Sequence, residues 1–220
     1  MIRARLMARF YDRMMRTAEE RFLADWRRDL LGSLSGHVLE IGSGTGLNLP
    51  HYPATVTRLV LSEPDPFMRR QLQAKVADRA RNSVQVVDCA AEKLDFPDAS
   101  FDTVVSTLVL CSVRDPQRAL AEIRRVLRPG GNLAYFEHVA ADNPRTLRWQ
   151  RLVEPAWKFL AGNCHLTRHT HESIRQAGLD PVRTEHVAMT PAPMLVRRAV
   201  KGLARRVPAG AASAPHLAKV

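Results

Sequence analysis

The chain has 220 residues, 45% of them hydrophobic, enough to bury a proper core and a better fit to one domain with trimmings than to two. Lys and Arg number 33 against 22 Asp and Glu, a formal charge of +11 that suits an anionic partner or surface. The basic residues are scattered and not interleaved with aromatics. This sets aside specific nucleic-acid reading and leaves room for weak peripheral contact with a membrane.

In chain order, Tyr11, Met15, Ala18, Phe22, Trp26 and Leu30 recur every three or four residues, so residues 5–31 read as one amphipathic helix with a basic, solvated outer face. Its start, "MIRARLMARFYDRMMR", lacks the continuous apolar segment of a signal peptide, and no stretch approaches the ~20 apolar residues of a membrane span. Gly36 releases the chain into "HVLEI", a first strand, and a glycine loop follows. "RLVLSEP" reads as a second strand, "PFMRRQLQAKVADRA" as a helix, "SVQVVD" as a third strand and "FDTVVST" as a fourth. "DPQRALAEIRRVLRPGG" is a helix with a start signal at Asp115-Pro116 and a stop at Pro129-Gly130-Gly131, delivering the chain to a fifth strand, "NLAYFEHVA". "LRWQRLVEPAWKFL" is helical with a break near Pro155, "HESIRQAGL" is a further helix, and "DPVRTEHVAM" and "PMLVRRAVKGLA" form a strand pair. Strands alternating with helices predict a parallel α/β sheet covered on both faces. The small, polar tail of residues 208–220 reads as disordered.

Gly42, Gly44 and Gly46 fall where the first strand is expected to turn into a helix, so that backbone can approach a ligand without Cβ atoms in the way. A dinucleotide fingerprint needs Gly or Ala at position 47; Leu47 stands there, which disfavours a nicotinamide cofactor and an oxidoreductase. Glu40, at the mouth of the loop, repels a pyrophosphate and attracts an amino group or a sulfonium-bearing amino acid. Glu63 lies 21 positions beyond Gly42, near the spacing at which an acid accepts from ribose hydroxyls.

"VLEIGSGTG", the acidic end of "LVLSEP", "AAEKLDFPDASFDTVVS" and "VLRPGG" together resemble the successive motifs of class I S-adenosylmethionine-dependent methyltransferases. The resemblance implies a Rossmann-like fold, seven mostly parallel strands with an antiparallel final strand and helices on both faces, and S-adenosyl-L-methionine as cofactor. It implies that Gly42, Ser43, Gly44 and Gly46 cradle the methionine part with Glu40 nearby. Glu63 and Pro64 would lie at the ribose, Ala90, Ala91 and Glu92 beside the adenine, and Thr107 and Leu108 at the end of the fourth strand. Whether Asp88 or Glu92 meets the adenine amine is left open. The chain divides accordingly into an N-terminal helix (1–35), a cofactor-binding core (36–139), a helical substrate insertion with the C-terminal strand pair (140–207) and the tail (208–220).

"TLVLCSV", "RVLRPGG", "EHVA", "WQRLVEPAW", "CHLTR" and "LVRRAVKGLA" resemble, more narrowly, the microsomal alkyl-thiol S-methyltransferases and their bacterial relatives. This implies a small lipophilic methyl acceptor, a thiol first and a quinone-like or phospholipid amine acceptor second. A catalytically silent cofactor-binding domain is the non-enzyme alternative. The animal members of that group carry a hydrophobic N-terminal anchor that this chain lacks, which points to a cytoplasmic protein, at most peripheral to the membrane.

An acceptor thiol must lose its proton. His138, at the carboxyl end of the fifth strand, is the first candidate base; Glu137 alternates with it, so one of the two faces the ligand crevice. Tyr11, Cys111, Trp149, Trp157, Cys164 and His165 are the candidate acceptor-pocket residues, although Cys111 reads first as buried and structural, and Trp149 and Trp157 read equally as holding the insertion helix on the sheet. Cys89, Cys111 and Cys164 are odd in number and widely spaced, fitting neither a disulfide framework nor a Cys-x-x-Cys metal site. "GNCHLTRHTH" offers donors at Cys164, His165, His169 and His171, but its local spacing reads as a loop running into a capped helix, and no metal is expected.

Overall fold

A computed structural model of the chain describes residues 2–78, 84–190 and 192–207; the expected disordered tail, 208–220, lies outside them. Seven strands form one sheet: β1 (Gly36–Ile41), β2 (Val56–Ser62), β3 (Val84–Val87), β4 (Phe101–Thr107), β5 (Leu127–His138), β6 (Leu179–Ala188) and β7 (Arg198–Arg206). Their order is β3-β2-β1-β4-β5-β7-β6, with β1 to β5 parallel and β7 antiparallel to both its neighbours. The order reverses between β1 and β4, so the crevice at the carboxyl ends of those strands is where an open α/β sheet receives a ligand.

Each face of the sheet buries its own core, because alternate residues of a strand point to opposite sides. Leu39, Ile41, Val104, Leu133 and Tyr135 pack beneath α4 (Pro116–Val126), whose Ala119, Leu120, Ile123 and Val126 are fully buried. Val38, Leu59, Leu61, Val105 and Phe136 face the other way, under Leu23, Leu30 and Leu31 of the N-terminal helices and Leu72 of α3 (Pro66–Ala77). Pro116 at the first turn of α4 and the Asp115 side chain accepting from Arg118 N–H fix its start as expected. The helix ends at Val126, ahead of the expected Pro-Gly-Gly stop, and β5 takes up Leu127 directly.

Three elements depart from expectation. The helical N-terminus is not one continuous α-helix: α1 (Ile2–Ala18) and α2 (Ala24–Leu31) are joined by a π-helical turn, Glu19–Leu23. That turn places Glu19 against Arg27, 2.8 Å away and almost wholly buried. The glycine loop after β1 does not open an α-helix; a single 3-10 turn, Leu49–His51, precedes β2, and the N-terminal helices cover that face instead. Pro155 does not break α5 (Pro144–Leu160). Both Pro155 and Arg151, whose carbonyl loses its partner, are exposed, so water can satisfy the freed acceptor. The expected basic outer face of α1 also carries an exposed apolar stripe, Ile2, Leu6, Phe10 and Met14, at intervals of four residues. A short α6 (Thr170–Gln176) leads into β6.

Candidate active site

The loop after β1 is built from backbone in the left-handed region: Gly42, Gly44 and Gly46 have φ of +54°, +56° and +86°. A Cβ on Gly42 would come within 2.7 Å of Val109, and one on Gly46 within 2.7 Å of Leu72, so these two glycines let the loop lie close to its neighbours. A Cβ on Gly44 would meet nothing within 4 Å. Its freedom serves an open space above the loop, as the cradle of a ligand requires. Ser43 N–H donates to Ser62 C=O (2.9 Å) and Ser43 Oγ to Glu40 C=O (3.3 Å), tying the loop to the ends of β1 and β2.

Glu40 does not sit at the mouth of the loop. It lies beneath it, 2% exposed, accepting from Asn48 Nδ2 (3.0 Å) and Tyr52 Oη (2.6 Å). Asn48 also donates to Thr107 Oγ1 (2.9 Å) and accepts from Arg27 Nη1 (2.5 Å). Glu19, Arg27, Asn48, Glu40 and Tyr52 thus form one buried polar chain from the π-turn to the floor of the site. Burial drives the Glu40 carboxyl up to about 7, with nearby Glu63 pushing the same way; Tyr52, Asn48 and Arg27 act against this. Arg27 also stacks on Phe136, 5.2 Å from its ring centre. Of this chain the sequence singled out Glu40, and beside it Thr107, which accepts from Asn48. Arg27 follows the buried Leu23 by one helical turn, the only signal that it faced inward.

Glu63 caps the end of β2, accepting from Gly44 N–H (2.7 Å) and Asp65 N–H (2.8 Å). Each carboxylate oxygen keeps a further lone pair, enough for two hydroxyl donors. Burial raises its titration, against the pull of the two N–H groups. Pro64 is exposed beside it and accepts from Arg69 Nη1 through its carbonyl (3.0 Å). Ala91 is buried and Ala90 half-buried in the turn after β3. Glu92 is turned to the start of α4, accepting from Arg114 N–H (2.8 Å), whereas Asp88 pairs with Arg69 at 2.7 Å. Leu108, directly after Thr107, has φ +60°, a conformation costing a residue with a Cβ about 1–2 kcal/mol. That kink turns the chain away from the end of β4. Asp12 of α1 closes over the loop, accepting from Thr45 Oγ1 (2.5 Å) and Lys75 Nζ (2.7 Å).

Glu137 and His138 do point to different places. Glu137 is fully buried and accepts from Ser106 Oγ (2.7 Å), Val109 N–H (3.1 Å) and Cys111 N–H (3.1 Å). Fully buried, it spends its carboxylate on holding the loop after β4, a positioning role in place of the expected catalytic one. His138 is half-buried, its Nδ1 3.4 Å from Cys164 Sγ. Cys164 Sγ in turn lies 3.7 Å from Cys111 Sγ. The Cys111 hydrogen bond, and then His138, pull the Cys164 thiol well below its ordinary range, while that same bond and burial push Cys111 up. Tyr11 is half-buried nearby, its phenol driven to about 12 chiefly by burial, within the fields of Arg27, Glu19 and Cys111.

The two cysteine segments are laced together. His165 N–H donates to Cys111 C=O (2.8 Å), Asn163 Nδ2 to Ser112 C=O (2.6 Å), and Arg168 to Leu110 C=O (2.5 Å) and Val113 C=O (2.7 Å). His165 Nδ1 faces Glu154 at 3.2 Å; that carboxylate also accepts from Leu166 and Thr167, so His165 belongs to the turn after α5. Trp157 is half-buried, and its indole nitrogen has no hydrogen-bond partner among the described residues. Trp149, expected at the pocket, is 57% exposed.

Residues 39–135 match the family model described as a methyltransferase domain. The chain is 37% identical over 186 residues to thiol S-methyltransferase TMT1B of Rattus norvegicus, covering 83% of this chain and 75% of that protein. It is 38% identical over 157 residues to a phosphatidylethanolamine N-methyltransferase of Cereibacter sphaeroides, covering 71% and 73%. The fold matches the solved structure of a geranyl diphosphate methyltransferase in complex with S-adenosylmethionine, with TM-score 0.69 over 84% of each chain at 14% identity. The open cradle at Gly44 and the two-oxygen acceptor at Glu63 fit the polar parts of that cofactor. With the fold, the loop and the relatives in agreement, the chain belongs to the class I S-adenosylmethionine-dependent methyltransferases, in the group that contains the thiol S-methyltransferases.

Proposed function

We propose that this methyltransferase methylates the sulfur of a small lipophilic thiol. The observation that carries the reading is the cluster of Cys111, Cys164 and His138 beyond the carboxyl ends of β4 and β5, in a chain related to thiol S-methyltransferases over most of its length. When bound, S-adenosylmethionine supplies an electrophilic methyl group on a sulfonium that leaves readily. Gly44 and its neighbours would hold the methionine part, Glu63 the ribose, Glu40 the loop floor, and the turn 90–92 the adenine edge. The protein's own task is then to orient the acceptor, exclude water and remove one proton. His138, beside the Cys164 thiol at the end of β5, is placed to direct that proton.

The test is formation of S-adenosylhomocysteine by the purified protein with matched panels of lipophilic thiols, quinols and phospholipid amines. Turnover led by thiols is expected; turnover confined to amines would transfer the assignment to the phospholipid reading, which the Cereibacter sphaeroides relative favours.

A weak peripheral membrane contact belongs to the same proposal. Among the described residues no helix is long and apolar enough to cross a membrane. The stripe of Ile2, Leu6, Phe10 and Met14 adjoins exposed Phe159 on α5, over whose ring Arg3 lies at 4.4 Å, and Arg5, Arg9 and Arg13 flank it. Apolar side chains rimmed by arginines suit an anionic interface. Flotation with anionic vesicles that fails at high salt is the expected result.

A further inference from the structure

Cys111, His138 and Cys164 come from three separate segments: the loop after β4, the end of β5 and the turn after α5. Their donor atoms lie within 4.8 Å of one another. The measured separations are 3.7 Å between the two sulfurs and 3.4 Å from Cys164 Sγ to His138 Nδ1. A tetrahedral zinc ion, with Zn–S about 2.3 Å and Zn–N about 2.0–2.1 Å, sets its ligands about 3.8 Å (S to S) and about 3.6 Å (S to N) apart. Two of the three separations therefore match those a shared tetrahedral ion would impose, and the third, Cys111 to His138, lies within 4.8 Å. They are also held there. Glu137 clasps Cys111 through its N–H, and His165, Asn163 and Arg168 bind the two cysteine segments together through four hydrogen bonds. Such positioning of ligands by surrounding hydrogen bonds is what a metal site needs from its protein.

We propose that Cys111, Cys164 and His138 bind one zinc ion, with its fourth position left open to the sulfur of the methyl acceptor. This deepens the thiol reading and rests on it for the identity of the fourth ligand; the three-residue site itself does not. Two thiolates neutralise the ion's charge within the buried pocket, and three protein ligands with one open position are the arrangement of catalytic zinc. The step balances simply. On binding, the acceptor thiol gives its proton to solvent and its sulfur coordinates the ion. The sulfur's electron pair then forms a bond to the methyl carbon as the carbon–sulfonium bond breaks, its electrons remaining on S-adenosylhomocysteine. The product is a neutral thioether, a weaker zinc ligand than a thiolate, and it leaves. With the ion bound, ligation replaces the proton-directing role given to His138 above, and the ion itself lowers the acceptor thiol's hold on its proton.

The test is metal analysis of the full chain after reconstitution with zinc, together with the absorption spectrum of the cobalt-substituted protein. One zinc per chain is expected, with the sulfur-to-cobalt and intense visible bands of a tetrahedral thiolate site. Both should be lost, with affinity down more than about tenfold, in Cys111→Ser, Cys164→Ser and His138→Ala. S-adenosylhomocysteine binding, measured in parallel, should persist in all three and report that they fold. A shift of the cobalt bands on adding a thiol without cofactor would support the open fourth position. Absence of stoichiometric metal in a chain that binds S-adenosylhomocysteine, or a Cys111–Cys164 disulfide in its place, overturns the zinc proposal while leaving thiol methylation standing. Metal at the site with methylation of amines alone leaves the zinc and removes the thiol reading.

Discussion

Glu40→Gln isolates the electrostatics of the site floor. In the native chain a carboxyl that ordinarily titrates at 4.5 is driven to about 7, because burial disfavours its charge more than Tyr52, Asn48 and Arg27 favour it. The folded state therefore holds a proton that the unfolded chain has released between those two values. Stability attached to that proton is fully present below pH 4.5 and is lost as pH rises to about 7. The displacement corresponds to about 3 kcal/mol at full extent, of which about 2–3 kcal/mol falls between about pH 5 and about pH 8. Glutamine keeps an oxygen for Asn48 and offers Tyr52 an N–H, and it does not titrate. Denaturant unfolding of both proteins at the two pH values is the assay. Native and variant stabilities should converge near pH 5, the variant becoming the more stable by that margin near pH 8. Parallel pH profiles would refute the reasoning, since no other group differs between the two chains.

Glu63→Ala removes the acceptor held between Gly44 N–H and Asp65 N–H, and should weaken S-adenosylhomocysteine binding by about 1–3 kcal/mol in a calorimetric titration. Gly42→Ala and Gly44→Ala should separate loop packing from ligand access. The first forces a Cβ to within 2.7 Å of Val109 and should lower the melting temperature markedly. The second meets no atom within 4 Å, should cost only the left-handed strain of about 1–2 kcal/mol, and should lower cofactor affinity by more than about tenfold. Equal effects of the two on both measurements would contradict the open cradle.

The cofactor half of the molecule was legible because its signals are local. A strand, a run of glycines and an acid 21 positions on describe one continuous piece of backbone, and α4 announces itself by Asp115, Pro116 and a four-residue apolar stripe. What the sequence could not show arises between segments. Cys111, His138 and Cys164 have no common spacing, so their convergence depends on β5 ending beside the loop of β4 and on the turn after α5 folding back over both. Glu40 reads as a ligand-facing acid because its neighbours along the chain are glycines; only Asn48 and Tyr52, brought back over β1, turn it into part of the floor. Pro155 reads as a break because its sequence says nothing of the solvent that compensates the lost bond. Glu137 and His138 were separable in principle by strand alternation, but which one faced inward depended on the loop that Glu137 binds.

The central claim is that the glycine loop and Glu63 form the S-adenosylmethionine site of a working methyltransferase. Calorimetric titration of the purified chain with S-adenosylhomocysteine, with NADH as the parallel ligand, tests it most directly. The account predicts one saturable site for S-adenosylhomocysteine, weakened by Glu63→Ala, and no binding of NADH. Binding of NADH alone, or of neither ligand by a folded chain, would contradict it.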